Sequence, residues 1–558
     1  MSLPDYRPYF PFSKVRVEQE QAIEFALDAF LNQGKRFVIL ELGTGCGKSA
    51  IGITLARVLA EHGGTTVVPP LEGMEDIADG ETTGAYVLTT QKILQDQYMK
   101  DFGPSSGRNL LRSLKSASNY DCRFYSDQSC AESRRLLKQL GEQLHGTDFH
   151  KCCRGSCPYM IDKSEFCEHP IGITNFSYFL AETMYAKQLV PRSLLVIDEC
   201  HNIESELGKF VEVTFSEKFA KALDCKVPKL DTPERVFDWV KGPYKNAVSK
   251  TMKGLEKKLA EHFTGKGTVG LSEMSKRYEM LDKHICKVNR FIESYSPDNW
   301  VLNFVKAPEG TRAGRKFEFK PVDVSSFGSS HLYRYGSRVV MMSATVVDKD
   351  TFCRSVGVDP NDAAYLCLPS PFPLENRPIH YLGVGSMSMN FIDSTLPKLT
   401  ETVRSLLDLH SNEKGIIHCV NYKIAQYLVE KLKDKRLLIH NSENRDETIE
   451  KHLTSKEPTV LISPSMMEGV DLADEASRFQ ILCKVPFPYL GDRVIQLRKA
   501  RSNTWYSMMT ARAVIQAFGR SIRNDTDHAT SYILDSDWER FYRTNAHMFP
   551  AEFSSALQ

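Results

Sequence analysis

Glu41-Leu42-Gly43-Thr44-Gly45-Cys46-Gly47-Lys48-Ser49 follows the apolar run Phe37-Val38-Ile39-Leu40, a buried strand feeding a glycine-rich turn. Three glycines let backbone N–H groups turn inward around phosphates. Lys48 brings a point charge to the β and γ phosphates, and the Ser49 hydroxyl can sit on Mg²⁺. A second apolar run, Leu194 to Ile197, ends in Asp198-Glu199-Cys200-His201. There Asp198 would hold the metal and Glu199 would polarise the attacking water. Paired with Lys48, these carboxylates point to hydrolysis of a nucleoside triphosphate. Far downstream, Gln516-Ala517-Phe518-Gly519-Arg520-Ser521-Ile522-Arg523 sets Arg520 and Arg523 on one helix face. Guanidinium groups so placed can reach a γ-phosphate from a second domain as arginine fingers.

Cysteine placement suggests a second centre. Six of fourteen cysteines fall between Cys122 and Cys167: Cys122, Cys130, Cys152, Cys153, Cys157 and Cys167. Four thiolates could gather round an iron–sulfur cluster or a structural Zn²⁺, or the thiols could simply stay reduced. Spacing alone leaves these three readings open. Cysteines in apolar runs, such as Cys367, Cys419 and Cys483, read as buried inert thiols.

These groups must be positioned by an interrupted α/β layout. Helix Glu18 to Leu31, the strand before the glycine turn, strand Tyr86 to Thr89 and helix Gln91 to Met99 open the chain, with Gly63 to Gly84 as a surface loop. Polar helices Pro233 to His262 and Ser272 to Ser294 then break the strand rhythm, before a Gly/Arg/Lys stretch from Pro308 to Lys320. Strand Arg338 to Met342 resumes the sheet and ends in Ser343-Ala344-Thr345. After Ser370-Pro371-Phe372-Pro373 a second α/β unit has strands at 415–419, 436–440, 459–463 and 479–485. Two such units predict two stacked, mostly parallel sheets. A length of 558 residues allows several cores, and the formal net charge of +1 means that any nucleic-acid surface is a local groove. No apolar run reaches a membrane span, and Met1 to Lys14 lacks the apolar stretch of a signal peptide. The expectation is an intracellular enzyme without a membrane.

Taken together, the motifs resemble the iron–sulfur helicases of superfamily two, the XPD and DinG group, along nearly the whole chain. The matching stretches are Arg16-Val17-Glu18-Gln19, Gly43 to Ser49, Thr89-Thr90-Gln91 with Leu94 to Gln97, Asp198 to His201, Ser343 to Thr345, Glu468-Gly469-Val470-Asp471 and Gln516 to Arg523. Asn119-Tyr120 before Cys122, Cys157-Pro158-Tyr159, and Thr174-Asn175 before Phe176-Ser177-Tyr178 are similar to the family's cluster domain and the segment after it.

The resemblance implies an α/β fold of two RecA-like motor domains, the first carrying an iron–sulfur insert and a helical arch. Motor domain 1 would comprise 1–110, 169–204 and 331–370, the cluster domain 111–168, the arch 205–330 and motor domain 2 371–558. It implies ATP and Mg²⁺ as cofactors, with Arg16 and Gln19 at the adenine end. The nucleotide would be held by Gly43 to Ser49, Cys46 included, by Asp198 and His201, and by Gly469, Asp471 and Gln516 from the other side. A [4Fe–4S] cluster would sit on Cys122, Cys157 and Cys167, with Cys153 as fourth ligand, Cys152 as its alternative and Cys130 able to displace either. Thr90, Asn175 and Tyr178 would touch single-stranded DNA, although a core aromatic competes as the reading of Tyr178. Arg312, Arg315, Lys316 and Lys320 would line a phosphate groove or a solvated face. The implied activity is 5′ to 3′ translocation on single-stranded DNA by a monomeric motor, with unwinding of forked or flapped duplexes in repair, replication or recombination. Remodelling of protein–DNA complexes without unwinding is the alternative. A nucleus or a nucleoid would suit it.

Overall fold

The protein is described from a computed structural model covering residues 2–63, 84–90, 92–125, 129–133, 145–186, 189–229, 231–263, 271–306, 314–441, 444–464, 472, 474–519, 521–522, 524 and 526–558. The first sheet opens with β1 (Phe37–Leu42), β2 (Ala85–Thr89), β3 (Arg112–Ser113), β4 (Ile171–Asn175) and β5 (Arg192–Asp198). The chain then leaves to form β6 (Val213–Ser216), β7 (Trp300–Val305) and β8 (Lys316–Pro321), and returns as β9 (Gly336–Ser343) and β10 (Ala363–Leu368). The resulting seven strands run in the order β10-β1-β9-β5-β2-β4-β3, and every pairing is parallel. All six residues of β1 and all seven of β5 are buried, as the continuous apolar runs require of strands covered on both faces.

The second sheet comprises β11 (Ile379–Gly385), β12 (Gly415–His418), β13 (Leu437–Ile439), β14 (Val460–Ser463), β15 (Phe479–Leu482) and β16 (Thr530–Asp535). Their order is β11-β16-β15-β12-β14-β13, again parallel throughout. The two stacked parallel sheets anticipated from the strand pattern are present. In the first, the carboxyl ends of β1, β5 and β9 carry the glycine turn, Asp198 and Ser343, where an open α/β sheet holds its ligand.

The segment between β5 and β9 is not purely helical. Helices Lys245–Phe263 and Leu271–Ser294 pack beside a three-stranded antiparallel sheet, β6-β8-β7. In β8 only Phe317, Phe319 and Pro321 are buried, the alternation of a half-covered strand. The single helix expected from Pro233 is broken into Pro233–Trp239, a π turn over Val240–Tyr244 and Lys245–Phe263. Pro243 lies inside that turn, where its missing N–H and its ring are incompatible with regular α-helix. The loop expected at Gly63 to Gly84 falls mostly outside the described residues, as does Arg312.

Candidate active site

Backbone geometry fixes the glycine turn. Gly45 and Gly47 have φ of +92° and +73°, a region that side chains with a Cβ rarely adopt. Space is equally restrictive: a Cβ on Gly45 would lie 2.2 Å from the Phe372 ring, and one on Gly47 2.3 Å from Gln19 Nε2. Gln19 holds the turn by accepting from Arg16 N at 3.0 Å and donating to Gly47 O at 3.5 Å. Arg16 donates to Gly45 O. Both residues of the expected adenine end therefore rest directly on the phosphate loop. Lys48 opens the Lys48–His62 helix and donates to Leu42 O at 3.4 Å. Gly43, Thr44 and Lys48 line a cleft of about 800 Å³ that also touches Thr90, Glu199, His201, Thr345, Phe372 and Gln516. Cys46 does not line this cleft. Its thiol is buried, donates to Pro369 O at 3.6 Å, and is pushed up to about 11 by burial.

At the end of β5, Asp198 accepts from the Tyr98 hydroxyl at 3.0 Å and from Glu199 N at 3.0 Å. Burial, aided by the Glu199 charge and opposed by Lys48, raises its carboxyl to about 6. A carboxylate raised in this way favours its neutral form, so ionising it above pH about 6 disfavours the metal-free fold, and a cation offsets that cost. Mg²⁺-dependent nucleotide affinity is therefore expected to hold above pH 6 and to weaken as pH falls through it. Fluorescent-ATP titration at a series of pH values checks this, and an affinity flat from pH 5 to 8 would refute it.

Glu199 has φ of +51°, a conformation that non-glycine residues adopt at functional turns. It turns its carboxylate to His201, with Oε2 3.3 Å from Nδ1. The other neighbours of the ring are Ser343 Oγ, 2.8 Å from Nδ1, and the Gln516 amide nitrogen, 2.8 Å from Nε2. Because that amide donates to Nε2, the ring proton sits on Nδ1, facing Glu199 and Ser343. Gln516 also donates to Thr345 Oγ1 at 3.2 Å, and Thr345 N donates to Ser343 Oγ at 3.0 Å. A continuous polar chain thus runs from Glu199 to a helix that packs on the second sheet.

Two members of this site escaped the sequence reading. Glu41, next to last in β1, is buried, with its two oxygens accepting from Val347 N at 3.0 and 3.2 Å and from the Tyr365 hydroxyl at 2.5 Å. Arg512 is 4% exposed and reaches the same loops from the Asn503–Phe518 helix. Its signal was an arginine one helical turn before Gln516, inside an otherwise apolar stretch. Arg520, Arg523, Gly469 and Asp471 lie outside the described residues. Ile522, between the two arginines in sequence, packs with Phe372 and Ala529.

Of the expected DNA contacts, Thr90 lines the cleft. Asn175 is engaged otherwise: its side chain accepts from Tyr178 N at 2.9 Å and caps the Phe176–Ala181 helix. The Tyr178 hydroxyl lies 2.7 Å from that of Tyr159, and its ring is packed against the main core. The alternative reading of Tyr178 as a core aromatic describes this placement.

The cysteines group differently from the expectation. Cys130 Sγ lies 3.5 Å from Cys157 Sγ. Cys153 has Cys157, Cys122, Cys152 and Cys130 as its charged-state neighbours, and burial first, then those thiols, pushes it up to about 12. Cys122 Sγ accepts from Phe124 N and Tyr125 N, each at 3.4 Å. Cys152 turns to Ser156 Oγ at 3.3 Å. Cys167 is not in this group. It sits at the far end of the Pro158–Glu168 helix, about 15 Å along the axis from Cys157 at 1.5 Å per residue, among Lys163, Arg192 and Glu182. Cys130, beside Cys157, is in the group. Among the described residues, no group of three or more Cys, His, Asp or Glu is set at metal-holding distance.

Comparison with known proteins agrees with this geometry. Residues 12–226 match the family model "Type III restriction enzyme, res subunit", and residues 407–555 match "Helicase C-terminal domain". A solved XPD helicase superposes with a TM-score of 0.57 at 15% identity, covering 96% of this chain and 98% of that one. Xpd4 of S. tokodaii gives 0.55 at 13% identity, covering 97% and 99%. In its matched domains and its fold the chain is similar to the XPD and DinG group of superfamily-two helicases. Among curated relatives, the YoaA ATP-dependent DNA helicase of Haemophilus influenzae is 23% identical over 239 residues, 40% of this chain and 37% of that protein. The regulator of telomere elongation helicase 1 homologue of Aedes aegypti is 36% identical over 104 residues, 16% and 10% of the two chains. Its Caenorhabditis briggsae counterpart is 31% identical over 99 residues, 15% and 10%. The chain therefore spans about a tenth of the length of those telomere-helicase homologues.

Proposed function

We propose that the chain is an ATP-dependent DNA helicase that tracks along single-stranded DNA, 5′ to 3′, and opens forked or flapped duplexes as a monomeric motor. One observation carries this reading: the hydrolytic carboxylate Glu199 is joined through His201, Ser343 and Thr345 to Gln516, on a helix of the second sheet. Hydrolysis at the first sheet is then mechanically tied to movement of the second, which is what a translocating motor needs. Lys48 and Ser49 would hold the phosphates and Mg²⁺ together with Asp198, and Arg520 and Arg523 would approach from the second motor. That the relative YoaA is an ATP-dependent DNA helicase favours DNA as the track. Nuclear or nucleoid location follows from that substrate, and no described helix is long and apolar enough to cross a membrane.

The test is ATP turnover with and without single-stranded DNA, alongside displacement of a labelled strand from duplexes carrying a 5′ or a 3′ tail. DNA-stimulated turnover with displacement from the 5′-tailed duplex is expected. Turnover indifferent to DNA overturns the reading. Stimulation without displacement leaves the alternative of a translocase that strips bound proteins.

For the cluster, the donor set fits: Cys122, Cys130, Cys153 and Cys157 supply four soft sulfur ligands, and two backbone N–H groups already point at the Cys122 sulfur, as is usual around iron–sulfur thiolates. These four residues would hold a [4Fe–4S] group, which when bound would cross-link the insert and fix its shape. Cys130→Ser is expected to lose iron and the visible charge-transfer absorbance, whereas Cys167→Ser keeps both. The opposite pattern, measured on anaerobically purified protein, would restore Cys167 as the ligand.

A further inference from the structure

Arg512 lies on the Asn503–Phe518 helix, which packs on the second sheet, but its guanidinium is inserted into the first domain. Nε donates to Thr345 O at 3.0 Å, Nη2 to Val346 O at 3.3 Å and Nη1 to His201 O at 3.4 Å. Those carbonyls belong to two separate loops, one following the Asp198-Glu199 pair and one following β9. The side chain is almost wholly buried, so its charge is held by this carbonyl set and by Glu41, which lies near enough to feel it. Gln516, four residues on and so on the same helix face, binds the side chains of the same two loops, His201 and Thr345. One helix therefore grips both loops twice, through their backbones at Arg512 and through their side chains at Gln516.

We infer that Arg512 is a positioning residue for ATP hydrolysis: it clamps the loop carrying Glu199 and His201 to the loop carrying Ser343 and Thr345, and ties their spacing to the placement of the second motor. The inference rests on the proposed ATPase reading and deepens it. Arg512 does not line the cleft that Gly43, Thr44 and Lys48 border. It sets where Glu199 stands. Only a planar fork with several donors can span carbonyls on two loops, so lysine is not an equivalent.

The test compares wild type, Arg512→Lys, Arg512→Met and Gln516→Ala in the full chain, measuring kcat and KM for ATP with and without single-stranded DNA. Binding of a fluorescent ADP and thermal unfolding of each variant are followed in parallel. Arg512→Lys keeps the buried charge and is expected to lower kcat between about 10- and 100-fold, the scale of an ångström-level misplacement, with KM and ADP affinity within about twofold. Arg512→Met, of similar length but without donors, is expected to lose at least as much. Because both residues act through the same loops, Arg512→Lys combined with Gln516→Ala should lose less than the product of the single losses. Folded Arg512→Lys with kcat within about twofold of wild type overturns the inference. So does a rise in KM at constant kcat, or losses that simply multiply. Wild-type turnover indifferent to DNA would sink the helicase reading alone, because the kcat comparison can be read in either condition.

Discussion

Lys48→Ala is expected to leave a folded protein that still binds single-stranded DNA and to reduce ATP turnover on the order of 10²–10³-fold, the usual loss when one preorganised charge is removed from a transition state. The fold is spared because Lys48 makes one weak contact to its own loop, 3.4 Å to Leu42 O, while the shape of the turn depends on Gly45, Gly47, Arg16 and Gln19. Phosphoryl transfer, in contrast, depends almost wholly on placing positive charge against the γ-phosphate. Steady-state ATP hydrolysis and DNA binding on the same preparation check this. Turnover within tenfold of wild type would mean that the cleft between Lys48 and Glu199 is not where hydrolysis happens.

Lys163→Ala is expected to destabilise the junction between the cysteine-bearing segment and the first sheet by about 3–5 kcal/mol, the usual penalty for stranding one member of a buried ion pair. Lys163 and Glu182 pair with 9% and 10% of their side chains exposed. Removing the ammonium leaves a carboxylate with little water to solvate it, beside the paired hydroxyls of Tyr159 and Tyr178. Because the chain has several cores, the readout is local: amide exchange along the Pro158–Glu168 helix, and not a single unfolding midpoint. The double change Lys163→Met with Glu182→Met should recover most of the loss, since two apolar side chains leave no charge stranded. If the double variant is as unstable as the single one, packing and not charge is what holds the junction.

Much of this was readable in the chain. The buried runs at β1 and β5 announced a doubly covered parallel sheet because their apolar stretches were continuous and each ended in chemistry, Lys48 in one and Asp198 in the other. The second sheet was visible for the same reason at β12, β14 and β15. What escaped had a weaker or misleading local signal. β8 was hidden within a basic, glycine-containing stretch, although Lys316-Phe317-Glu318-Phe319-Lys320 alternates with the period of a strand. Pro243 inside a helical pattern should have marked a break. Glu41 looked like part of the loop motif, and only the fold shows that Val347 and Tyr365, more than 300 positions away, satisfy it. The separation of Cys167 from the other thiols follows from a length argument that sequence could have supplied: with Pro158 opening a helix, Cys157 and Cys167 must stand at its opposite ends. Asn175 and Tyr178 illustrate a different limit. A polar residue before a helix can bind a ligand or cap the helix, and only the observed hydrogen bond decides.

The strand order has a consequence for biosynthesis. β1 comes first in the chain, yet its hydrogen-bonding partners are β9 and β10, which leave the ribosome about 300 residues later, or about 15–60 s at typical elongation rates. Throughout that interval Phe37 to Leu42 has both edges open, and the phosphate loop has no sheet to fix it. The nascent chain must therefore keep an aggregation-prone strand soluble while the segment holding β6, β7 and β8 is still being made. Nucleotide cannot assist folding of the first motor until the residues after Gly336 have emerged, so demand for chaperones should be set by the length of the intervening insert and not by the stability of the finished protein.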